Sequence, residues 1–292
     1  MSDHPMDYVP IRKLRFDFDE VEGGNPLWSR TNPEFSMFIN AFGVHVPYFE
    51  RFLINVMRRY RDEIDCERIK ADVRGIIGQE AHHSINFLAW NKALNDRYPG
   101  LVKMENQAKQ FFESAFLEKS KKFTIGFTAG YETFTFLGGM IILDGYDEYM
   151  ADADPTIRAL WVWHQVEEVE HGAVAFDFYK TFYPDDEWYR RFMVGGAFMH
   201  LSVESAKAYH HMMNLEGYYR EPRKALNAWK VGLTFLLDTG RAAMPVMSKK
   251  YHPRDFLEQN PLANAWRKFY AMGNDLHALN TLDVESMLAA NS

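Results

Sequence analysis

The 292-residue sequence predicts an all-α protein, a four-helix bundle extended by additional C-terminal helices. Three observations carry this. From residue 33 onward apolar side chains recur at i, i+3, i+4 and i+7, and no stretch alternates as a strand would. Proline, asparagine and glycine sit where such runs start and stop. Four of the predicted helices carry a carboxylate or an imidazole inside an otherwise apolar stripe.

Residues 1–32 contain Pro5, Pro10, Gly23, Gly24 and Pro26 and predict an irregular arm lying over one helical domain that spans 33–292. Asn32-Pro33 opens the first helix as N-cap and first helical residue, leading into Phe35 to Phe42. The second runs from Val46 to about Glu63, with Val46, Glu50, Leu53, Ile54 and Met57 on one face. The third, from about Glu67 to Tyr98, stops before Pro99-Gly100, and its inner face holds Val73, Ile76, Ile77, Glu80, His83, Phe87 and Leu94. His82 lies about 200° from Glu80 around the helix and is directed elsewhere.

A connecting helix from Met104 to Ser120 leads to a long apolar one from Lys122 to about Met150, whose inward stripe has Glu132 as its one charge. Asp154-Pro155 begins a helix predicted to continue to Tyr183, containing the sequence Trp163 to His171. At about 100° per residue His164, Glu168 and His171 fall within an arc of roughly 60°, while Glu167 and Glu170 read as a solvated face. Further helices follow at about Asp186 to Leu215 and Pro222 to Ala243, with shorter pieces after Pro253. His200, Glu204, Lys207 and His211 share a stripe, but the lysine competes with a cation, and the reading is a solvated face.

Composition excludes several functions. A net charge of −7 leaves no excess of Lys and Arg for phosphate backbones, so no nucleic-acid partner is expected. The single cysteine, Cys66, rules out an internal disulfide or a thiolate cluster within one chain, and with no apolar leader at the N-terminus the expected location is cytoplasmic. Phe123 to Leu143 has the length of a membrane span, but the cost of placing Glu132 in lipid argues against a membrane partner.

Four helices in chain order therefore offer an inward Glu50, an inward Glu80-x-x-His83, an inward Glu132 and an inward His164-x-x-x-Glu168-x-x-His171. That order is the pattern of di-metal carboxylate bundles. Carboxylates and imidazoles without thiolate suit iron first, with manganese or zinc as alternatives. Four carboxylates balance two divalent ions, which would bring the net charge from −7 to −3.

The segments Phe49-Glu50-Arg51-Phe52, Ile77 to His83 and Trp163 to Asp177 resemble a bacterial family, the predicted metal-dependent hydrolases, over roughly residues 35–275. The resemblance implies a ferritin-like fold. The His-x-x-x-Glu-x-x-His element is also similar to that of p-aminobenzoate N-oxygenase, a di-iron enzyme with an extra histidine. By that similarity the metal ligands are Glu50, Glu80, His83, Glu132, His164, Glu168 and His171, with His164 the extra one.

The resulting expectation is a di-iron enzyme that activates dioxygen to oxidise a small-molecule substrate, with a metal-dependent hydrolase as the alternative. An electron donor and a homodimer are compatible with it. Tyr48, Tyr131 and Phe136 lie near the candidate ligands in sequence and are taken as pocket residues.

Overall fold

The computed structural model describes residues 4–19, 21, 25–255 and 260–279. Among them every regular element is helical. Helices α1 (Pro33–Gly43) and α2 (Val46–Tyr60) are followed by α3 (Glu67–Arg97), α4 (Leu101–Glu118) and α5 (Lys121–Asp144). Then come the single turn α6 (Tyr146–Tyr149), α7 (Pro155–His171), α8 (Val174–Phe182), α9 (Glu187–Leu215), α10 (Pro222–Ala242) and α11 (Pro261–Ala271). The all-α bundle expected from the sequence is therefore present.

Local chemistry sets these boundaries. Asn32, Ser120, Asp154 and Asp186 each accept a hydrogen bond from a first-turn backbone N–H, which satisfies donors that the helix itself cannot. Two predicted helices prove shorter. The helix from Pro155 breaks at Gly172-Ala173, directly after His171, and restarts as α8. A Cβ on Gly172 would stand 2.6 Å from the Phe136 ring, so the missing side chain lets α5 press against the chain where α7 ends. The apolar helix from Lys121 ends at Asp144, with Gly145 as its cap, before the turn of α6. The predicted end of the chain beyond residue 279 lies outside the described residues.

Four helices enclose the core: α2 packs on α3, α5 on α7, α3 on α7 and α2 on α5. The pairs of close residues run in opposite senses along α3 and α7: His83 meets Glu167, and Gln79 meets His171, so the two helices are antiparallel. A second layer, α9 with α1 and α10, covers the outer side of α5. The N-terminal arm is drawn tightly onto α3. A Cβ on Gly75 would stand 2.7 Å from Val9, and one on Gly78 would stand 2.4 Å from Ile11, so these glycines are what permit the approach. Asn86 holds the arm in register, accepting from Phe16 N–H at 3.1 Å and donating to Leu14 O at 3.1 Å.

No helix among the described residues is long and apolar enough to cross a membrane. Close packing between layers gives a direct test. A Cβ on Gly130 of α5 would lie 2.6 Å from the backbone oxygen of Met193 on α9. Neither backbone can yield locally, so Gly130→Ala should cost about 1–3 kcal/mol in urea denaturation despite alanine's better helix propensity.

Candidate metal centre

Each of the four core helices delivers its polar residues to one plane of the bundle. Glu50 comes from α2, Glu80 and His83 from α3, Glu132 from α5, and His164, Glu168 and His171 from α7. None of the seven is more than 2 % exposed. They form two groups of four that share Glu168: Glu50, His83, His164 and Glu168 in one, and Glu80, Glu132, Glu168 and His171 in the other. Within each group the donor atoms lie within 4.8 Å of one another. Either group could hold a metal ion.

The distances show which atoms face inward. His171 Nε2 lies 3.0 Å from Glu168, 3.2 Å from Glu80 and 3.3 Å from Glu132. His164 Nε2 lies 3.0 Å from Glu168 and 3.6 Å from Glu50. His83 presents Nδ1, 3.5 Å from Glu80 and 3.9 Å from Glu168. The donor set fits a bound cation by one observation above all. Both carboxylate oxygens of Glu50, Glu80 and Glu132, together with His83 Nδ1 and His164 Nε2, are buried without a hydrogen-bond partner. Leaving so many polar atoms unsatisfied costs several kcal/mol unless something else binds them.

Electrostatics repeats the point. Burial pushes Glu50 up to about 7 and Glu132 up to about 8. Burial also opposes the charged form of Glu168, yet the facing imidazoles of His171 and His164 hold its pKa well below the usual carboxylate range. For His83, burial pushes down, but the hydrogen bond to Glu167 and the nearby charge of the Glu80 carboxylate carry it up to about 10.

A second ring of residues, not identified from the sequence, orients the first. Glu167 and Glu170 are buried, correcting their reading as a solvated face. The sign was available: Leu160, Trp161, Val162, Trp163, Val166 and Val169 are apolar all round the helix, and such a helix is enclosed on every side. Glu167 accepts from His83 Nε2 at 2.9 Å and from Arg12 at 2.8 Å. Because Arg12 keeps that carboxylate an acceptor, Nε2 keeps its proton, and the Nδ1 proton is the one a metal ion would displace to use the lone pair facing the centre. Gln79 performs the same task for His171. Its amide nitrogen donates to Pro10 O at 3.0 Å and to Glu170 at 3.0 Å, so its oxygen must accept from His171 Nδ1 at 2.9 Å. Nε2 is thereby the His171 nitrogen aimed inward, toward Glu168 at 3.0 Å. His164 is backed only by the side-chain amide of Gln165, 3.0 Å from Nδ1, and no carboxylate fixes its tautomer.

Arg12 is the hub of this ring. It bridges Glu167 and Glu170 at 2.7–2.9 Å and lies over the Trp266 and Tyr270 rings of α11. Arg267 adds a second cation to Glu170 at 2.9 Å.

The remaining candidates separate cleanly. His82 is half-buried, turned outward and 2.9 Å from Arg15. Among the described residues the stripe on α9 forms no metal-ligand group. It is only partly a solvated face, however: Lys207 pairs with Glu204 at 2.6 Å, while His200 is half-buried, stacked on Phe111 and bonded to the Tyr131 hydroxyl. The pocket residues taken from sequence proximity point elsewhere. Tyr48 donates to Glu105 at 3.1 Å, Tyr131 is held by His200, and Phe136 packs on Gly172. A crevice of about 10 Å³ reaches His164, between Ile39 and Phe42 of α1, Thr135 and Gly138 of α5, Trp161 of α7 and Phe235 of α10.

Substitution separates the donors from their neighbours. Glu168→Ala, which removes the carboxylate common to both groups, should abolish binding of both ions, whereas His82→Ala should leave metal content near wild type. Elemental analysis after dialysis against a stated metal reads this directly; equal losses in the two variants would place the inward face wrongly. Acid should weaken binding. Near pH 7 the metal-free chain holds protons on His83, on most of Glu132 and on part of Glu50, and a cation must displace them. Affinity should therefore rise steadily from about pH 6 to 10, with proton release on metal uptake visible by calorimetry in buffers of different ionisation enthalpy.

A family model described as predicted metal-dependent hydrolase matches residues 10–256. No curated protein and no solved structure matches the chain. The similarity to p-aminobenzoate N-oxygenase thus has no support from these comparisons. The matched span reaches from the strap that carries Arg12 through all four core helices, and the chain belongs to the predicted metal-dependent hydrolase family.

Proposed function

We propose that this chain is a dinuclear metal enzyme that hydrolyses a small, largely apolar molecule. The observation that carries the reading is the pair of buried donor groups joined by Glu168, with unsatisfied carboxylate oxygens facing one another, in a chain of a metal-dependent family. The seven ligands would be Glu50, Glu80, His83, Glu132, His164, Glu168 and His171, four carboxylates against two divalent ions. Bound ions would supply Lewis acidity and a coordinated water made acidic enough to ionise near neutral pH.

The protein supplies the rest. Gln79 and Glu167 hold two imidazoles in the tautomer that leaves a lone pair for the metal. Glu50 and Glu132, on which burial favours protons in the metal-free chain, would give them up as the ions bind. The crevice at His164 decides what reaches the centre. Its walls are mostly apolar, and the Thr135 hydroxyl is already committed to the Glu132 backbone oxygen at 3.2 Å. A Cβ on Gly138 would meet nothing within 4 Å, so the crevice is open along that side of α5.

A second reading, dioxygen activation by an iron pair with an external electron donor, is favoured by the narrowness of this same crevice, whose volume is that of about one water-sized molecule. The experiment loads the metal-free protein separately with zinc, manganese or ferrous iron. Ester and amide cleavage is then measured without air, and oxygen uptake with it. Metal-dependent cleavage that proceeds without air is the expected outcome. Oxygen consumption stoichiometric with ferrous iron, and no cleavage with any metal, would replace hydrolysis by oxidation. Gly138→Leu should lower kcat/KM at least about tenfold with unchanged metal content, because it narrows the approach and touches no donor.

A further inference from the structure

Most helical glycines in this chain have a visible steric reason. Beside Gly75, Gly78, Gly126, Gly130 and Gly232 another element lies so near that a Cβ would meet it at 2.4–2.9 Å. Gly138 faces the crevice at His164. Gly195 and Gly196, in the middle of α9, have neither reason: both are exposed, and a Cβ on either would meet nothing within 4 Å. Each costs the helix about 1 kcal/mol relative to alanine. No close neighbour that would justify them is present among the described residues.

The residues around the pair indicate what that neighbour is. Trp188, Phe192, Met199 and Val203 are 72 %, 58 %, 63 % and 43 % exposed. At about 100° per residue they share one arc of α9 with the two glycines, and none of the six is charged. Their spacing is symmetric about the Gly195–Gly196 bond: Phe192 and Met199 stand equally far from it on either side, and so do Trp188 and Val203. A two-fold axis through that bond would set α9 against an antiparallel copy of itself. Gly195 would then face Gly196, Phe192 would face Met199, and Trp188 would face Val203, with a larger side chain against a smaller one at the two outer pairings. Such self-complementarity is what an isologous interface requires, and a partner of different sequence would not require it.

The area is also sufficient. Helix α10 lies beside α9, with the Tyr209 hydroxyl donating to Ala228 O at 2.9 Å and Phe198 3.8 Å from where a Gly240 Cβ would stand. Its outer row, Leu226, Leu233 and Leu237, together with Met244 just beyond its end, is 52–70 % exposed. At about 150–250 Å² for a large side chain, the two rows offer on the order of 800 Å² per copy. That matches one side of a standard stable interface and exceeds the apolar patches usual on monomers.

We infer that two copies of this chain pair through α9 about a two-fold axis at Gly195–Gly196, with α10 at the flank. Sedimentation equilibrium of the full chain tests it. Wild type should have the mass of two chains at micromolar concentration. Phe192→Glu should weaken association at least about 100-fold, and so should Met199→Lys. Combining the two should recover at least about tenfold of that loss, since the carboxylate introduced on one copy would meet the ammonium introduced on the other across the axis. Unchanged thermal melting and helical dichroism of each variant confirm that it folds. A wild-type monomer at about 100 µM overturns the inference, whether or not the face then binds lipid vesicles. A dimer indifferent to both single substitutions, or no recovery in the double variant, overturns it as well.

Discussion

Four carboxylates buried side by side without enough positive charge are the constraint on which this structure depends. Glu50, Glu80, Glu132 and Glu168 meet between four helices in a region that water scarcely reaches. An unpaired ion so placed costs several kcal/mol. In the metal-free chain the cost is reduced by burial holding protons on Glu50 and Glu132, and by the imidazoles that face Glu168. Two divalent cations held by these residues would offset it more completely. That the site is built at the expense of apo stability argues that it exists to be filled.

The rest of the fold follows from holding this centre rigid. His83 and His171 each need one nitrogen occupied so that the other can point inward, and the occupants, Glu167 and Gln79, need partners of their own. Those partners come from distant parts of the chain: Arg12 and Pro10 from the N-terminal strap, Arg267 from α11. Removing the strap would leave Glu167 and Glu170 short of their main cation in the interior. This explains why Gly75 and Gly78 are placed on the outer face of α3, where any side chain would keep the strap away. His164 lacks such backing and borders the crevice, so the ligand least constrained by the protein is the one nearest the approach route.

The parts legible in the sequence were those governed by helical periodicity. Spacings of three and four residues put Glu80 with His83, and His164 with Glu168 and His171, on single faces, and the same arithmetic turned His82 outward. The second ring escaped because it obeys no local period. Arg12 sits in irregular backbone, and its partners are more than 150 residues away in sequence. Glu167 and Glu170 were misread because charge was weighed above the apolar residues surrounding them. The break at Gly172 depends on Phe136 from another helix, and the crevice is assembled from α1, α5, α7 and α10. Features made by residues far apart in the chain leave little trace in any one stretch of it.

The central claim is that the two donor groups around Glu168 are two metal positions in one bundle. Anomalous diffraction from crystals of metal-loaded protein, collected on both sides of the metal's absorption edge, addresses it without reference to any substrate. The account predicts two peaks, one within the Glu50, His83, His164 and Glu168 group and one within the Glu80, Glu132, Glu168 and His171 group, about 3.5–4 Å apart. A single peak, a peak confined to the surface, or none between the four helices would contradict it.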